Sequence, residues 1–226
     1  GLGDVYKRQG AVLSTPDNIF YATGFSSVMD GWHLVEPIAA VFVPADAASP
    51  VVLILPEASV ISPIVSERGG HPVHFDRLAT FDMLNFCETA RAEDAHLALP
   101  ADLLAELGDV MEQIDGQCEP DIIQSIAACL SRHVSKKEKI LFDDLRVAAQ
   151  VEASTGQASG DALDAMFAAR AVKTADELDT LRESGQIADA IMAYTMSQLG
   201  VGKSWSEVEK QVCLLYTSPS PRDWTI

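Results

Sequence analysis

Short β-branched or apolar runs bounded by proline and glycine recur through the first two thirds of the chain. They predict strands over Ala11–Ser14, Ile38–Val43, Val51–Leu55, Val73–Phe75, His96–Leu99 and Lys139–Phe142. Between and after them, apolar spacing predicts helices over Leu78–Arg91, Ala101–Ile114, Asp121–His133 and Asp144–Ala153. Pro44-Ala-Asp-Ala-Ala-Ser-Pro50 is a turn cluster between two β runs and predicts an antiparallel pair. Beyond it β and α segments alternate, which predicts a layered α/β domain: a mixed β-sheet flanked by helices.

The clearest helix begins at Thr174. Thr174-Ala-Asp-Glu177 is a capping box, in which the Thr hydroxyl accepts from the Glu amide and the Glu carboxylate from the Thr amide. Leu178, Leu181, Ile187, Ala188, Ile191, Met192, Thr195 and Leu199 then follow a 3.6-residue period, and Gly200 is placed to end the helix in a left-handed cap. A second box, Ser204-Trp-Ser-Glu207, opens another helix. These helices follow a change of composition near Arg170, where the strand-bearing domain is expected to finish. The apolar face of the Thr174–Leu199 helix is expected to lack its natural partner, and so to be exposed, loosely docked or used in self-association.

Composition narrows the function classes. With 226 residues and 48% hydrophobic residues the chain is an ordinary globular protein, long enough for a sizeable core. Its 33 Asp and Glu against 16 Lys and Arg give a net charge of −17, which repels phosphate backbones and anionic lipid, so neither nucleic acid nor membrane is an expected partner. The best apolar run, Val51-Val-Leu-Ile-Leu55, is closed by Pro50 and Pro56, far short of the roughly 18 residues a membrane helix needs.

The two ends read differently from the middle. The codons CTC-GGA-GAT-GTG-TAT-AAG-AG encode Leu2 to Lys7 and begin Arg8; their reverse complement, CTC-TTA-TAC-ACA-TCT-CCG-AG, encodes Leu214 to Pro219 and begins Ser220. One DNA element in two orientations accounts for both, and it resembles a translated sequencing-library adapter. Residues 1–9 and 213–226 are therefore read as adapter scars and Gly10–Val212 as the natural part, a fragment open at both ends. Cys87, Cys118 and Cys129 then remain, without metal or redox spacing, and read as reduced thiols of a cytoplasmic protein.

Two stretches carry a family resemblance. Ser14-Thr-Pro-Asp-Asn-Ile-Phe-Tyr-Ala-Thr-Gly-Phe25 is followed by a variable loop and a hydrophobic strand, and Arg170-Ala-Val-Lys-Thr-Ala-Asp-Glu-Leu178 by Leu181-Arg182 and an Ala/Ile-rich helix. In this order, with Lys139-Ile-Leu-Phe-Asp-Asp-Leu145 between them, they resemble the creatinase/Xaa-Pro aminopeptidase (prolidase) family of pita-bread metallohydrolases. The resemblance implies an N-terminal domain over residues 10–170 with creatinase-like, ribonuclease H-like layering, then a truncated helical start of the pita-bread catalytic domain over 171–212. It further implies a parent that is a metal-dependent hydrolase of Xaa-Pro dipeptides or of a related C–N substrate, such as creatinase or ectoine hydrolase act on. Such a parent holds two divalent ions (Mn, Co or Zn) that activate a water, and forms a homodimer. The other reading is a peptide- or protein-binding module of a catalytically inactive relative.

Residue by residue, the first stretch also has a plain physical reading. Pro16 opens a short helical segment that Asp17 or Asn18 can cap and that carries Ile19, Phe20 and Tyr21 inward; Gly24 lets the backbone leave it before Phe25 packs.

No catalytic or metal-ligating residue is assigned within the chain, and no cofactor is expected in this fragment. Asp143-Asp144 at a strand end reads as a helix N-cap rather than a ligand pair. His71 and His74, three apart on an expected strand, point to opposite faces and read as surface or satisfied histidines. No Ser or Thr has a nucleophile-elbow context, and Gly69-Gly70 and Gly200-Val-Gly202 lack a phosphate-loop pattern. In the family, a loop of one subunit can wall its neighbour's active site, and the comparable loop here is Ser26–Pro37. Within it Trp32 and His33, beside Gly31, offer an apolar plate and a titratable donor suited to contact with a peptide or small-molecule substrate; alternatively the Trp tucks under the sheet and the His is exposed.

Overall fold

The computed structural model describes residues 8–27, 36–83, 100–135 and 138–216. The chain divides into two compact units, Gly1–Phe167 and Ala168–Ile226.

The first unit is built on a six-stranded mixed sheet. Its strands are β1 (Arg8–Leu13), β2 (Ala40–Pro44), β3 (Val52–Pro56), β4 (Arg77–Phe81), β5 (Lys139–Phe142) and β6 (Ser159–Asp161), in spatial order β4-β3-β2-β1-β5-β6. β2 pairs antiparallel with β1 and β3, as the proline-bounded turn cluster requires, while β3–β4, β1–β5 and β5–β6 are parallel. The outer edge of β4 is covered by the segment before the fourth helix: Leu78 N–H donates to Gln113 O and Asp82 N–H to Glu119 O.

Both faces of the sheet are buried, and the side-chain alternation of a strand divides them. Val12, Phe42, Ile54, Phe81 and Phe142 face α4 (Ile122–His133) and α5 (Leu145–Thr155), which contribute Ile126, Leu130, Val147 and Val151. Leu13, Val41, Leu53, Leu55 and Leu78 form the opposite layer with Ile19 of α1 (Pro16–Thr23) and with Phe25, Val60 and Val73; Leu107 of α3 (Ala101–Met111) packs at its margin. A 3-10 turn, Glu57–Ser59, leads to α2 (Ser62–Arg68), and α6 (Leu163–Ala171) follows β6 across the division at Phe167.

Two glycines are required by geometry. At Gly10, where β1 is irregular against β5, a Cβ would lie 2.5 Å from Val43 O of β2. At Gly24, φ is +77° and a Cβ would lie 2.5 Å from Pro72 O, so only glycine ends α1 here.

Several expectations are corrected. Residues 77–81, expected to begin a helix, are the strand β4: its last four residues are all buried, and a continuous apolar run does not distinguish helix from buried strand. Residues 73–75 are not a strand; Val73 is buried in the core and Phe75, half-buried, packs against it. Of the three residues expected to point inward from α1, only Ile19 does, while Phe20 and Tyr21 are exposed. Arg170, near which the strand-bearing domain is expected to finish, lies inside α6. The strand expected over 96–99 and residues 84–91 of the helix expected over 78–91 lie outside the described residues; residues 82–83 are not helical.

The second unit contains α7 (Ala175–Gln198) and α8 (Trp205–Tyr216), with α8 packed on α7. Both capping boxes form: Thr174 N–H donates to Glu177 Oε2 at 2.7 Å and Glu177 N–H to Thr174 Oγ1 at 3.2 Å, and Ser204 and Glu207 repeat the exchange. α7 ends in an extended Leu199 rather than in a left-handed Gly200; the positive φ falls two residues later, at Gly202. No residue of α7 is buried. No described helix is long and apolar enough to cross a membrane.

Candidate functional site

β1 and β5 run parallel with Val12 opposite Phe142, so the residues that leave their carboxyl ends meet. There Asp143 accepts five hydrogen bonds. Oδ1 takes Ser14 N–H (2.8 Å) and Ser14 Oγ (3.2 Å); Oδ2 takes Thr15 N–H (3.1 Å), Thr15 Oγ1 (2.6 Å) and Asn18 Nδ2 (3.0 Å). Thr15 is the N-cap of α1 but makes no side-chain cap bond of its own, and Pro16 follows at the first helical position. A carboxylate is thus brought to the N-cap residue of α1 from 128 residues away. A negative group is favourable there because it lies at the positive end of the helix dipole; the amides it accepts from, those of Ser14 and Thr15, precede the first helical residue.

Its neighbour does the local work. Asp144 caps α5 by accepting from Arg146 N–H at 2.8 Å, and its other oxygen pairs with Arg146 Nη2 at 2.7 Å. Hydrogen bonding to the Arg146 guanidinium, more than any other cause, holds the Asp144 carboxyl below the usual carboxylate range, against the opposing effect of burial. The N-cap expected for Asp143-Asp144 belongs to Asp144; Asp143 instead ties the start of α1 to the end of β5. Neither Asp17 nor Asn18 caps α1; Asn18 instead donates to the clamp. The signal that could have revealed it is the Ser-Thr-Pro-Asp-Asn run opening directly off a strand, four hydrogen-bonding side chains with no acid at the cap position.

α1 leads through Gly24 and Phe25 into the loop Ser26–Pro37. Trp32 and His33 lie outside the described residues, and so does Cys87. The last two loop residues, Glu36 and Pro37, form one wall of a cleft of about 610 Å³, whose other walls are the first turn of α4 and the second half of α5. Ile122, Ile123, Ala153 and Pro37 supply its apolar surface, and Gln124, Gln150, Glu36 and Asp121 its polar surface, with no basic residue among the lining groups. Most of these polar groups already have partners: Asp121 accepts from Gln124 N–H and Nε2, and Ser154 Oγ donates to Val151 O.

His71 and His74 are both exposed. Cys118 and Cys129 are free thiols; burial pushes Cys129 up to about 12, which keeps it protonated. Among the described residues no three His, Cys, Asp or Glu side chains converge as a metal site. The acidic pair does not fit two divalent ions, since both oxygens of Asp143 already accept hydrogen bonds and Asp144 is taken by Arg146.

No protein-family model matches the chain, and no curated protein is similar to it in sequence. Solved structures do match. A prolidase from Pyrococcus furiosus superposes with a TM-score of 0.55 at 14% identity, over 95% of this chain and 49% of that one. The dipeptidase PepE from Mycobacterium ulcerans gives 0.53 at 17% identity (93% and 45%), and an X-Pro aminopeptidase from Thermotoga maritima 0.52 at 11% (91% and 46%). The chain spans about half the length of these structures. The fold is an α/β fold, a six-stranded mixed sheet flanked by helices, similar to the corresponding part of these prolidase-type structures.

Proposed function

We propose that this chain is the non-catalytic N-terminal part of a metal-dependent hydrolase resembling Xaa-Pro dipeptidases and aminopeptidases, with roles in oligomerisation and in substrate access. The observation that carries the reading is the match of nearly the whole chain to about half of several prolidases and dipeptidases. In this reading residues 10–170 form the N-terminal domain and 171–212 begin the catalytic domain. The two divalent ions, manganese, cobalt or zinc, and the water they activate belong to the remainder of the parent. No step of that hydrolysis is assigned to this chain's residues.

The contribution of this part is positional. The Asp143 clamp fixes the start of α1, and Gly24 fixes its end, so the loop Ser26–Pro37 leaves from a defined point. The loop walls the active site of a neighbouring subunit in a homodimer, with Trp32 and His33 facing a proline-containing peptide or a small C–N substrate. A cytoplasmic location accords with the free thiols of Cys118 and Cys129.

Two measurements test this. Reading the gene across both ends of the chain should reveal downstream the spaced Asp, Asp, His, Glu, Glu set of the family. A downstream sequence without it would replace the enzyme reading with that of a peptide- or protein-binding module. The purified chain alone should leave a Xaa-Pro dipeptide uncleaved with cobalt or manganese present; robust metal-stimulated cleavage would overturn the non-catalytic assignment.

A further inference from the structure

The cleft between α4 and α5 is lined only by residues of the sheet-bearing unit. Its polar lining is one-sided in hydrogen-bonding chemistry. Gln124 Nε2 donates to Asp121 Oδ2 at 2.6 Å, Gln150 Nε2 to Arg146 O at 3.4 Å and Ser154 Oγ to Val151 O at 3.1 Å, so each donor group on a lining side chain already has an acceptor. The acceptors are less committed. The Glu36 carboxylate and the amide oxygens of Gln124 and Gln150 have no partner among the described residues. Both helix ends suit a cation as well. α5 lines the cleft with Gln150, Ala153 and Ser154, near the negative end of its dipole, and carries no basic residue in its last turn. The positive end of α4 is offset by its cap, Asp121, which accepts from Gln124 N–H at 2.8 Å.

We propose that this cleft binds a short aliphatic diamine, with its ammonium groups on the Glu36 and Asp121 carboxylates and the glutamine oxygens, and its methylenes against Ile122, Ile123 and Pro37. Three features select that chemistry. An ammonium group is a donor without an acceptor, the complement of what the cleft leaves open. Two carboxylates with no basic residue beside them match two positive charges, whereas an anion would meet only repulsion. The apolar lining, with Ile122 buried and Ile123 and Pro37 half-buried, takes a methylene chain, and a volume of about 610 Å³ lies in the range of small-molecule sites. A wholly apolar ligand would cover the carboxylates without pairing them, which is costly. The inference rests on this cleft alone and does not depend on the reading of the parent as a hydrolase.

The test is titration of the full chain with 1,4-diaminobutane at constant ionic strength, followed by calorimetry and by amide chemical shifts, with circular dichroism to confirm that each variant stays folded. Binding should saturate, and the amide shifts should concentrate in residues 121–124 and 150–154. Butylamine, with one charge, should bind at least about fivefold more weakly, and 1,4-butanediol should not bind. Glu36→Gln should weaken the diamine about fivefold, and Gln150→Lys, which brings a competing cation to the cleft, should abolish it. Glu112→Gln is the control: Glu112 is exposed at the end of α3, outside the cleft, and loses the same charge, so affinity should stay within about twofold. Equal losses in Glu36→Gln and Glu112→Gln would mean general attraction to an acidic chain and would overturn the proposal. So would titration without saturation, shifts scattered over the surface, binding of the diol as strong as that of the diamine, or a Gln150→Lys variant that binds as before.

Discussion

The two units of this chain use different physics. In the unit Gly1–Phe167 both faces of the sheet are closed, and residues such as Val12, Leu53, Ile54, Leu78 and Ile140 are wholly inaccessible to water. In the unit Ala168–Ile226, Val208 is the one buried apolar residue among those described. Its helices are instead specified by local devices: two capping boxes and an Arg182–Asp179 pair one turn apart. Regular secondary structure therefore does not imply a self-sufficient core. The first unit buries apolar clusters on both faces of its sheet, whereas the second has short-range signals of the kind that order a helix but contribute little to global stability.

The contrast is broken most severely in the sheet. Phe142, 1% exposed at the end of β5, packs in the layer formed with α4 and α5. Phe142→Ala should cost about 3–5 kcal/mol, because the vacated space is walled by rigid elements and cannot collapse. Leu181→Ala on α7, at concentrations where the chain is monomeric, should change stability by less than about 0.5 kcal/mol. Urea unfolding followed by tryptophan-independent far-UV signals would measure both. Comparable losses would show that α7 is covered by something the burial pattern does not reveal.

The next largest effect is expected at Asp143, which joins β5 to α1. Asp143→Ala leaves three side-chain donors and two backbone amides without their acceptor. A loss of about 2–3 kcal/mol is expected, less than for a full core cavity because water can reach part of the clamp. Hydrogen exchange distinguishes this from general damage: the amides of Ser14 and Thr15 and the body of α1 should exchange faster, while those of α5 stay protected. Equal loosening of α1 and α5 would mean that the carboxylate supports the whole strand end rather than one helix.

Asp144 gives a smaller and pH-dependent effect. Removing its cap by Asp144→Ala should cost about 1 kcal/mol at neutral pH. Its folded-state pKa lies below the ordinary carboxylate value, so its stabilisation is complete above about pH 4 and is lost as pH falls through the depressed folded value. The difference between Asp144→Ala and the original chain should therefore shrink in acid. Urea midpoints at neutral and strongly acid pH test this, and a difference that grew in acid would contradict the Arg146 assignment.

Much of the secondary structure of both units was legible in sequence because its signals are local. Pro50 and Pro56 frame β3, the 44–50 cluster fixes its antiparallel partner, and Thr174 and Ser204 announce α7 and α8. What escaped was not local. β4 carries no alternation because both its faces are buried, so its apolar run fitted a helix equally well. β6 is Ser159-Gly-Asp161, with no β-branched or aromatic residue, and is a strand only because β5 offers it a parallel edge. The Asp143 clamp joins positions more than a hundred residues apart, so spacing along the chain could assign the acid to the wrong helix but not to the right one. Of the loop expected to contact substrate, the fold places Ser26, Ser27, Glu36 and Pro37; Trp32 and His33 remain a proposal.

The smallest effect is the most direct probe of whether the two units are independent. Thr174→Ala removes one arm of the capping box of α7, leaving Glu177 N–H without the hydroxyl oxygen that now accepts from it at 3.2 Å. The site is exposed, so water takes over part of the bond, and about 0.5–1 kcal/mol of local helix stability should be lost. Because α7 buries none of its residues, that loss has little packing through which to spread. Hydrogen exchange should quicken across the first turns of α7, while the urea midpoint of the sheet-bearing unit stays where it was. A midpoint that moved by the full amount would mean that the capping box helps to hold both units in one cooperative transition, and that the division at Phe167 is one of shape rather than of folding.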